Sequence, residues 1–382
     1  MVIFWLILRL ALVFIFPRLS DDIYRFIWDG RLMHSGIHPL SYTPKQWMEM
    51  QSGAGEWQDL FELLNSQEYY TVYPPLSQLI YYLATFSITS DYSNSAVLMK
   101  LMVLAFESLG LFYLWKLLFS LGIHRSRAFI YYLNPLILVE LGANLHFEGV
   151  YIALFFVAVY YLSRNSLVIS SFFWSSAVAV KLLPIMFLPL LFRYFGNFKE
   201  LMRFYLYMGL MLLLLFVPFF WGLDILHFLS SLDLYFQSFE FNASIYYILR
   251  YAGRLITGYN QIAVIGPLLA LATLSIITYL SYKSKVTSIN DLLDLSFIFF
   301  LSYLLLATTL HPWYLAFPVA MLVFRIRIYV LLWSFTIIFS YSRYAFTGEG
   351  HFIWIGVEYG LVLICFILEK YWMHKKEKAL IR

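Results

Sequence analysis

Two adjacent carboxylates open the polar stretch RLSDDIYRFIWDGRL, residues 18–32, directly behind an apolar run that begins at Met1. Asp21 and Asp22 are of the type that takes a proton from an attacking hydroxyl, and two neighbouring acids repel, which raises one pKa and keeps that group poised. The pair also suits a plainer task, because SDD at a helix start supplies acceptors for free backbone N–H groups. Three more polar positions interrupt apolar sequence. Lys181 lies in SSAVAVKLLPIMFLPLLFRY. An ionisable group at membrane depth is expensive and marks a function by default, unless it snorkels to an interface; here it suits an anion such as phosphate. LGANLHFEGV, 141–150, carries Asn144, His146 and Glu148, either as a hydrated loop or as hydrogen-bonding groups for a sugar. As metal ligands, His146 and Glu148 are too few for a closed site. His311, in TLHPWYLAFP, suits a phosphate oxygen, a sugar hydroxyl or a helix cap.

Such groups need elements to hold them, and composition says which. Of the 382 residues, 62% are hydrophobic and 13% charged, about half the charged share of soluble domains. Apolar runs approach the ~20 residues needed to cross a bilayer, and they are continuous rather than alternating, which excludes a β-barrel. The expected class is an all-α polytopic membrane protein, one integral membrane domain over 1–382. The net charge of +4 carries no nucleic-acid signal, and the single Cys365 excludes a disulfide framework. Arg9 splits the first apolar run and no A-x-A-like site follows, so that run is expected as a retained membrane helix rather than a signal peptide.

Basic clusters at 124–127, 192–203, 282–285, 325–327 and 374–378 mark the cytoplasmic side. Between them the expected spans are 1–19, 97–120, 128–143, 149–162, 167–180, 184–195, 204–221, 262–282, 291–310, 313–324, 328–346 and 352–371. That makes about twelve transmembrane helices with both termini inside. Segments 167–180 and 184–195 are too short for full spans and are expected as half-length helices meeting at KLLP. The segment 74–88, opening with YPPL at Tyr73, is expected not to cross.

This topology places residues 20–96 outside as one long first loop, with 222–261 as a second outside segment. In the first loop, Ile23, Phe26, Ile27 and Gly30 share one helical face, with Asp22, Arg25 and Asp29 opposite, the pattern of an amphipathic helix at the membrane surface. Gly36 and Pro39 are expected to end it. FEFNASIYYILRYAG, 239–253, has a similar interfacial character. The site residues then gather on the extracytoplasmic side.

These pieces, in this order, resemble the GT-C glycosyltransferases that use polyprenyl-phosphate sugars. SDDIYRFIWDGRLMHSGIHPLSYTP resembles the first-loop signature of the bacterial polyprenol-phosphate-mannose-dependent mannosyltransferases, with HPLSY where an NPY-like turn is usual. TVYPPLSQL, NPLILVELGANLHFEGV, VKLLPIMFLPLL and HPWYL are similar to further motifs of that group, and the resemblance runs from about residue 18 to 318. The eukaryotic enzyme adding the first mannose to glycosylphosphatidylinositol shows looser likenesses. The resemblance implies a GT-C-type bundle in a bacterial inner membrane, with a first-loop aspartate as catalytic base. The common D-x-D or single acid is replaced here by DD, which leaves Asp21 and Asp22 both as candidates.

The function expected is transfer of a hexose, by resemblance mannose, from a polyprenyl phosphate to a glycan or glycolipid acceptor on the extracytoplasmic face, with inversion. Lys181, His311 and Arg31 are the candidates for donor phosphate. Asn144, His146, Glu148, Tyr73 and Asp29 are the candidates for sugar or acceptor. No cofactor is expected, and a divalent metal is left open. The partners are lipids and saccharides, not nucleic acid. The rival readings are a transporter or flippase for a lipid-linked saccharide, whose paired broken helices would recur in both halves, and a non-catalytic membrane subunit.

Overall fold

Continuous apolar sequence without the alternation of β-strands leaves helices as the structure that satisfies its own backbone in lipid, and helices are what form. A computed structural model describes the whole chain except residues 52–54, 56, 87–90, 223–224, 347–349 and 381–382. The end of the expected non-spanning segment (87–88), small parts of the two outside segments and most of the turn at 347–351 therefore lie outside the described residues. In chain order come α1 (Val2–Val13), α2 (Asp22–His34), α3 (Pro44–Met50), α4 (Gln58–Glu62), α5 (Pro75–Ala84), α6 (Ser93–Ser120) and α7 (Ala128–Tyr132). A short α8 (Pro135–Ile137) runs into a π-helical turn at Leu138–Ala143, followed by α9 (Glu148–Ser163), α10 (Leu167–Val180), α11 (Leu188–Tyr194) and α12 (Phe198–Phe220). The rest are α13 (Ile225–Gln237), α14 (Ile245–Thr257), α15 (Ile262–Lys283), α16 (Ile289–Leu306), α17 (Ala316–Met321), α18 (Ile328–Thr336), α19 (Ser342–Ala345) and α20 (His351–Leu380). Among the described residues the sole β feature is an isolated parallel bridge between Phe241 and Thr309.

Among the described residues five helices are long and apolar enough to cross a membrane: α6, α12, α15, α16 and, within α20, His351–Lys376. A sixth span results if Pro135–Ala143 and Glu148–Ser163, bent by 112° at their junction, count together. Several other apolar runs fold as shorter pieces, so length alone supports five or six spans of the twelve expected. Proline explains several breaks. Pro135, Pro184, Pro189 and Pro312 each sit in the first turn of a helix, where the missing N–H costs nothing. At KLLP the chain does break, with Lys181 in extended conformation between α10 and the 3-10 turn Leu183–Phe187.

α2 departs from the surface helix its periodicity suggests. Its apolar face is buried as expected, but so are Arg25, Asp29 and Arg31. The reason is α5, which packs against it so closely that a Cβ on Gly30 would lie 2.6 Å from the Tyr81 carbonyl oxygen. Phe26 stacks on Tyr81 with ring centroids 4.7 Å apart. The buried charges are answered locally. Arg25 Nε donates to Asp29 Oδ1 at 2.8 Å, and its Nη1 donates to the Ser66 and Tyr69 carbonyls at 3.1 and 2.9 Å. Gln78 Nε2, on α5, donates to Asp29 Oδ2 and Thr71 Oγ1, both at 2.8 Å. Gly36, at φ +75°, follows the end of the helix as the sequence suggests.

α5 also reaches the KLLP break, where Ser77 Oγ donates to the Val180 carbonyl at 2.9 Å. One short helix thereby ties the element that begins at Asp22 to the one capped by Lys181.

A second brace comes from α6. Lys100 and Glu107, two helical turns apart on one face, are both buried. Lys100 Nζ donates to the carbonyls of Leu12 (3.1 Å), Ile15 and Ala143 (2.7 Å), joining the end of α1 to the end of the π-helical turn. Glu107 pairs with Arg9 of α1, whose guanidinium packs under Gly142.

Asp29→Ala should therefore destabilise the fold, because breaking one side of a buried pair costs about 3–5 kcal/mol. Thermal unfolding of the detergent-solubilised protein checks this, and Gly30→Ala should lower the same midpoint by overpacking α2 against α5, at about 1–3 kcal/mol.

Candidate active site

The braced elements converge on one cavity of about 1440 Å³. Its polar wall includes Asp21, Asp22, Tyr73, His146, Glu148, Lys181 and His311. Seven of the ten residues singled out in the sequence are thus brought together. Asp29, Arg31 and Asn144 are not in the wall. Asp29 has both oxygens engaged by Arg25 and Gln78. Arg31 is buried with its Cζ 5.1 Å from the centroid of the Tyr92 ring. Asn144 accepts from the Leu19 N–H at 3.3 Å and donates to Glu140 Oε2 at 3.2 Å, linking the approach to Asp21 with the π-helical turn.

Of the two acids, Asp21 is the N-cap of α2 yet makes no side-chain capping bond. Asp22 Oδ1 accepts from Asn65 Nδ2 at 3.3 Å, and its Oδ2 lies 4.0 Å from His146 Nδ1. Burial is the largest influence on Asp22 and raises its pKa above the ordinary 3.8, against the lowering pull of Asn65 and Lys181. The plain capping reading therefore accounts for neither side chain.

His146 is held in an unusual place. Leu145, with φ +62°, turns the backbone so that His146 enters the cavity wall between the π-helical turn and α9. Its ring stacks on Trp313 at 3.6 Å, and Trp313 stacks in turn on His311 at 4.4 Å. His311 continues onto Phe241 at 4.8 Å. This ladder of four rings joins three turns. The backbone supports it, since the Phe241 N–H donates to the Thr308 carbonyl at 3.1 Å and the Leu310 N–H to the Phe241 carbonyl at 2.8 Å. Burial, with the Lys181 charge second, drives the His146 pKa well below 6.5 and that of His311 to about 3. Both imidazoles are neutral hydrogen-bonding groups at neutral pH.

Lys181 Nζ pairs with Glu148 and stands 4.5 Å from the Tyr314 ring centroid. The same cavity has an apolar wall as well, formed by Leu182, Leu183, Ile185, Met186 and Pro189, which follow Lys181 in sequence, and by Gly266, Ala270, Leu274 and Ile277 of α15. From Gly266 to Ile277 that wall runs about 16 Å at ~1.5 Å per residue. Among the described residues no three His, Cys, Asp or Glu side chains gather as a metal site.

Several participants escaped the sequence reading. Trp313 lay beside His311 in its motif but was not picked out. Glu140 was visible within its motif but not picked out; Tyr341 donates to its Oε1 at 2.8 Å, and its Oε2 lies 3.6 Å from His146 Nε2. Asn65 carried no local signal. The charges Lys100 and Glu107, seven apart inside an apolar run, were a legible sign of a buried polar face.

The cavity thus joins carboxylates, two neutral imidazoles, an ammonium group and an apolar wall, groups suited to moving a proton and meeting an anion. No curated protein sequence matches the chain. A family model does, described as alpha-(1->6)-mannopyranosyltransferase, N-terminal domain, and it matches residues 1–195. That half contains both acids, His146, Glu148 and Lys181. It makes the protein an enzyme and sets aside the transporter and subunit readings. The chain belongs to the alpha-(1->6)-mannopyranosyltransferase MptA/B family, a family of GT-C membrane mannosyltransferases.

Proposed function

We propose that this mannosyltransferase takes mannose from a polyprenyl-phosphate donor and adds it, with inversion, to a glycan or glycolipid on the extracytoplasmic face of a bacterial inner membrane. The observation that carries the reading is the shared cavity: Asp22 and Lys181 both line it, and so do apolar residues of α15, a helix long enough to cross the membrane. A polyprenyl chain fits the apolar limb and leaves its phosphate at Lys181. The twelve-span topology, with 20–96 and 222–261 outside, belongs to this reading.

In the transfer, Asp22 accepts the proton of the attacking hydroxyl as the acceptor oxygen bonds to the anomeric carbon. The bond from that carbon to the phosphate oxygen breaks, and its electron pair leaves on the phosphate. Lys181 meets the charge that develops there, which is where stabilisation lowers the barrier. His146 and His311, being neutral, donate or accept hydrogen bonds without adding charge. Tyr73 offers a partner to sugar hydroxyls, and Glu148 is engaged with Lys181. Asp22 is preferred to Asp21 as base because it is the more enclosed and lies nearer His146.

Asp22→Asn should lower kcat by about 10²–10⁴, the usual worth of a general base, while the protein remains folded in the membrane. Turnover of synthetic polyprenyl-phosphate mannose, glucose and arabinose, with Asp21→Asn alongside, reads this directly. Undiminished transfer by both variants would remove the carboxylate-base assignment. The pH profile gives an independent check. Protonating Asp22 destroys the base, so kcat/KM should fall as pH drops, with a midpoint above the ordinary aspartate value of 3.8.

Lys181→Met should weaken donor use more than acceptor use. Loss of a charge-assisted contact worth ~1.5–3 kcal/mol corresponds to about a tenfold to hundredfold rise in donor KM, with acceptor KM little changed. Equal effects on the two substrates would place the phosphate elsewhere.

A further inference from the structure

The ion pair between Lys181 and Glu148 poses a problem for a phosphate site. The cation that would hold the donor is already matched by a carboxylate that is 3% exposed, while Lys181 keeps 29% of its side chain open to the cavity. Glu148 is the first residue of α9, and its backbone is fixed by the next residue, since a Cβ on Gly149 would lie 2.9 Å from Glu107 Oε1. Of the pair, Lys181 is the member that reaches the open cavity, while Glu148 is held at its base beside it.

We propose that Glu148 is the group that expels the spent lipid phosphate from Lys181. The inference rests on the reading that Lys181 receives the donor phosphate. The donor is a phosphodiester with one negative charge. The product is a phosphomonoester that carries about 1.5 to 2 negative charges at neutral pH. An ammonium group alone would hold the product more tightly than the substrate and stall the enzyme after each transfer. A carboxylate beside that ammonium opposes both anions, and it opposes the more highly charged product more strongly. Once the phosphate departs, Glu148 pairs with Lys181 again, which restores the arrangement seen in the structure.

The test uses Glu148→Gln, which keeps the side-chain volume and a hydrogen-bond acceptor for Lys181 but removes the charge. The probe is a short-chain polyprenyl phosphate used as a product inhibitor of the purified enzyme. The variant should bind this product about tenfold more tightly, the effect of ~1.4 kcal/mol, with donor KM lowered by a smaller factor. Its kcat should fall, and a first-turnover burst should appear because release becomes limiting. Glu148→Asp, which withdraws the carboxylate by one methylene, should shift the same ratio of product inhibition to donor KM in the same direction but less. If Glu148 merely holds the site together, both variants will bind product and donor more weakly, and that result overturns the proposal. Unchanged product inhibition in both variants overturns it as well. Lys181→Met separates the two levels. If that variant binds donor and product as the wild type does, the phosphate site itself is misplaced. If it loses both ligands while Glu148→Gln gains no product affinity, only the expulsion role fails.

Discussion

A charge removed from water must find its counterpart inside the protein, and in this chain that requirement organises the region around the cavity. Arg9 with Glu107, Arg25 with Asp29 and Lys181 with Glu148 are ion pairs in which at least one partner is almost wholly buried. Lys100 is held differently, its ammonium solvated by three carbonyls at the ends of two helical segments. In a low-dielectric interior each of these groups would be prohibitively costly alone, and each is paired across elements rather than within one, except the Arg25–Asp29 step along α2. The consequence is geometric. Arg9–Glu107 and Lys100 hold α1, α6 and the π-helical turn together, Lys181–Glu148 ties α9 to the KLLP break, and Asp29 joins α2 to α5 through Gln78, so that Asp22, His146, Glu148 and Lys181 are carried by or lie next to braced segments.

The second half of the chain closes what the first half begins. The matched family domain ends at residue 195, yet the ring stacked on His146 is Trp313, and the next two rings are His311 and Phe241. The segment bearing Phe241 is anchored further by Asn242, whose Nδ2 donates to the buried Glu358 carboxyl of α20 at 3.1 Å, while Trp333 Nε1 donates to the same group at 2.8 Å. A chain of stacked rings and buried hydrogen bonds therefore runs from the polar end of the cavity to the last helix. Removing the second half would leave His146 without its platform and α15 without its place beside the apolar limb.

Much of this was legible beforehand, for physical reasons that differ by residue. Lys181 stood out because a charge in an apolar run is costly, and KLLP stood out because proline cannot continue a helix. Asp21 and Asp22 stood out as adjacent acids. What the sequence could not convey was depth. The periodicity of α2 is that of a helix half in water, but burial of Arg25, Asp29 and Arg31 depends on α5 arriving from more than forty residues away through a contact only Gly30 permits. For the same reason Asp29 read as a binding group, though its oxygens are consumed by Arg25 and Gln78. Trp313 went unmarked because an interfacial tryptophan and a stacking tryptophan look alike in sequence. The span count was exposed to a similar ambiguity, since an apolar run does not announce whether it will fold as one long helix or as two short ones.

The placement of His146 shows how these constraints act together. Leu145 is not glycine, yet it holds φ at +62° with its side chain fully buried, a conformation that costs roughly 1–3 kcal/mol. Left to itself the backbone would relax, and His146 would swing out of the wall. It is prevented on both sides. Before it, the π-helical turn is pinned where Lys100 binds the Ala143 carbonyl and Asn144 binds Glu140; after it, α9 is seated through Gly149 against Glu107. The unusual hydrogen-bond register of the π-helical turn itself directs the chain out of the helix at this point, as such turns do at functional sites. The local strain and the buried charges are thus one arrangement: α6 supplies the ionic grip that makes the strained turn tolerable, and the strained turn delivers the imidazole to the carboxylate.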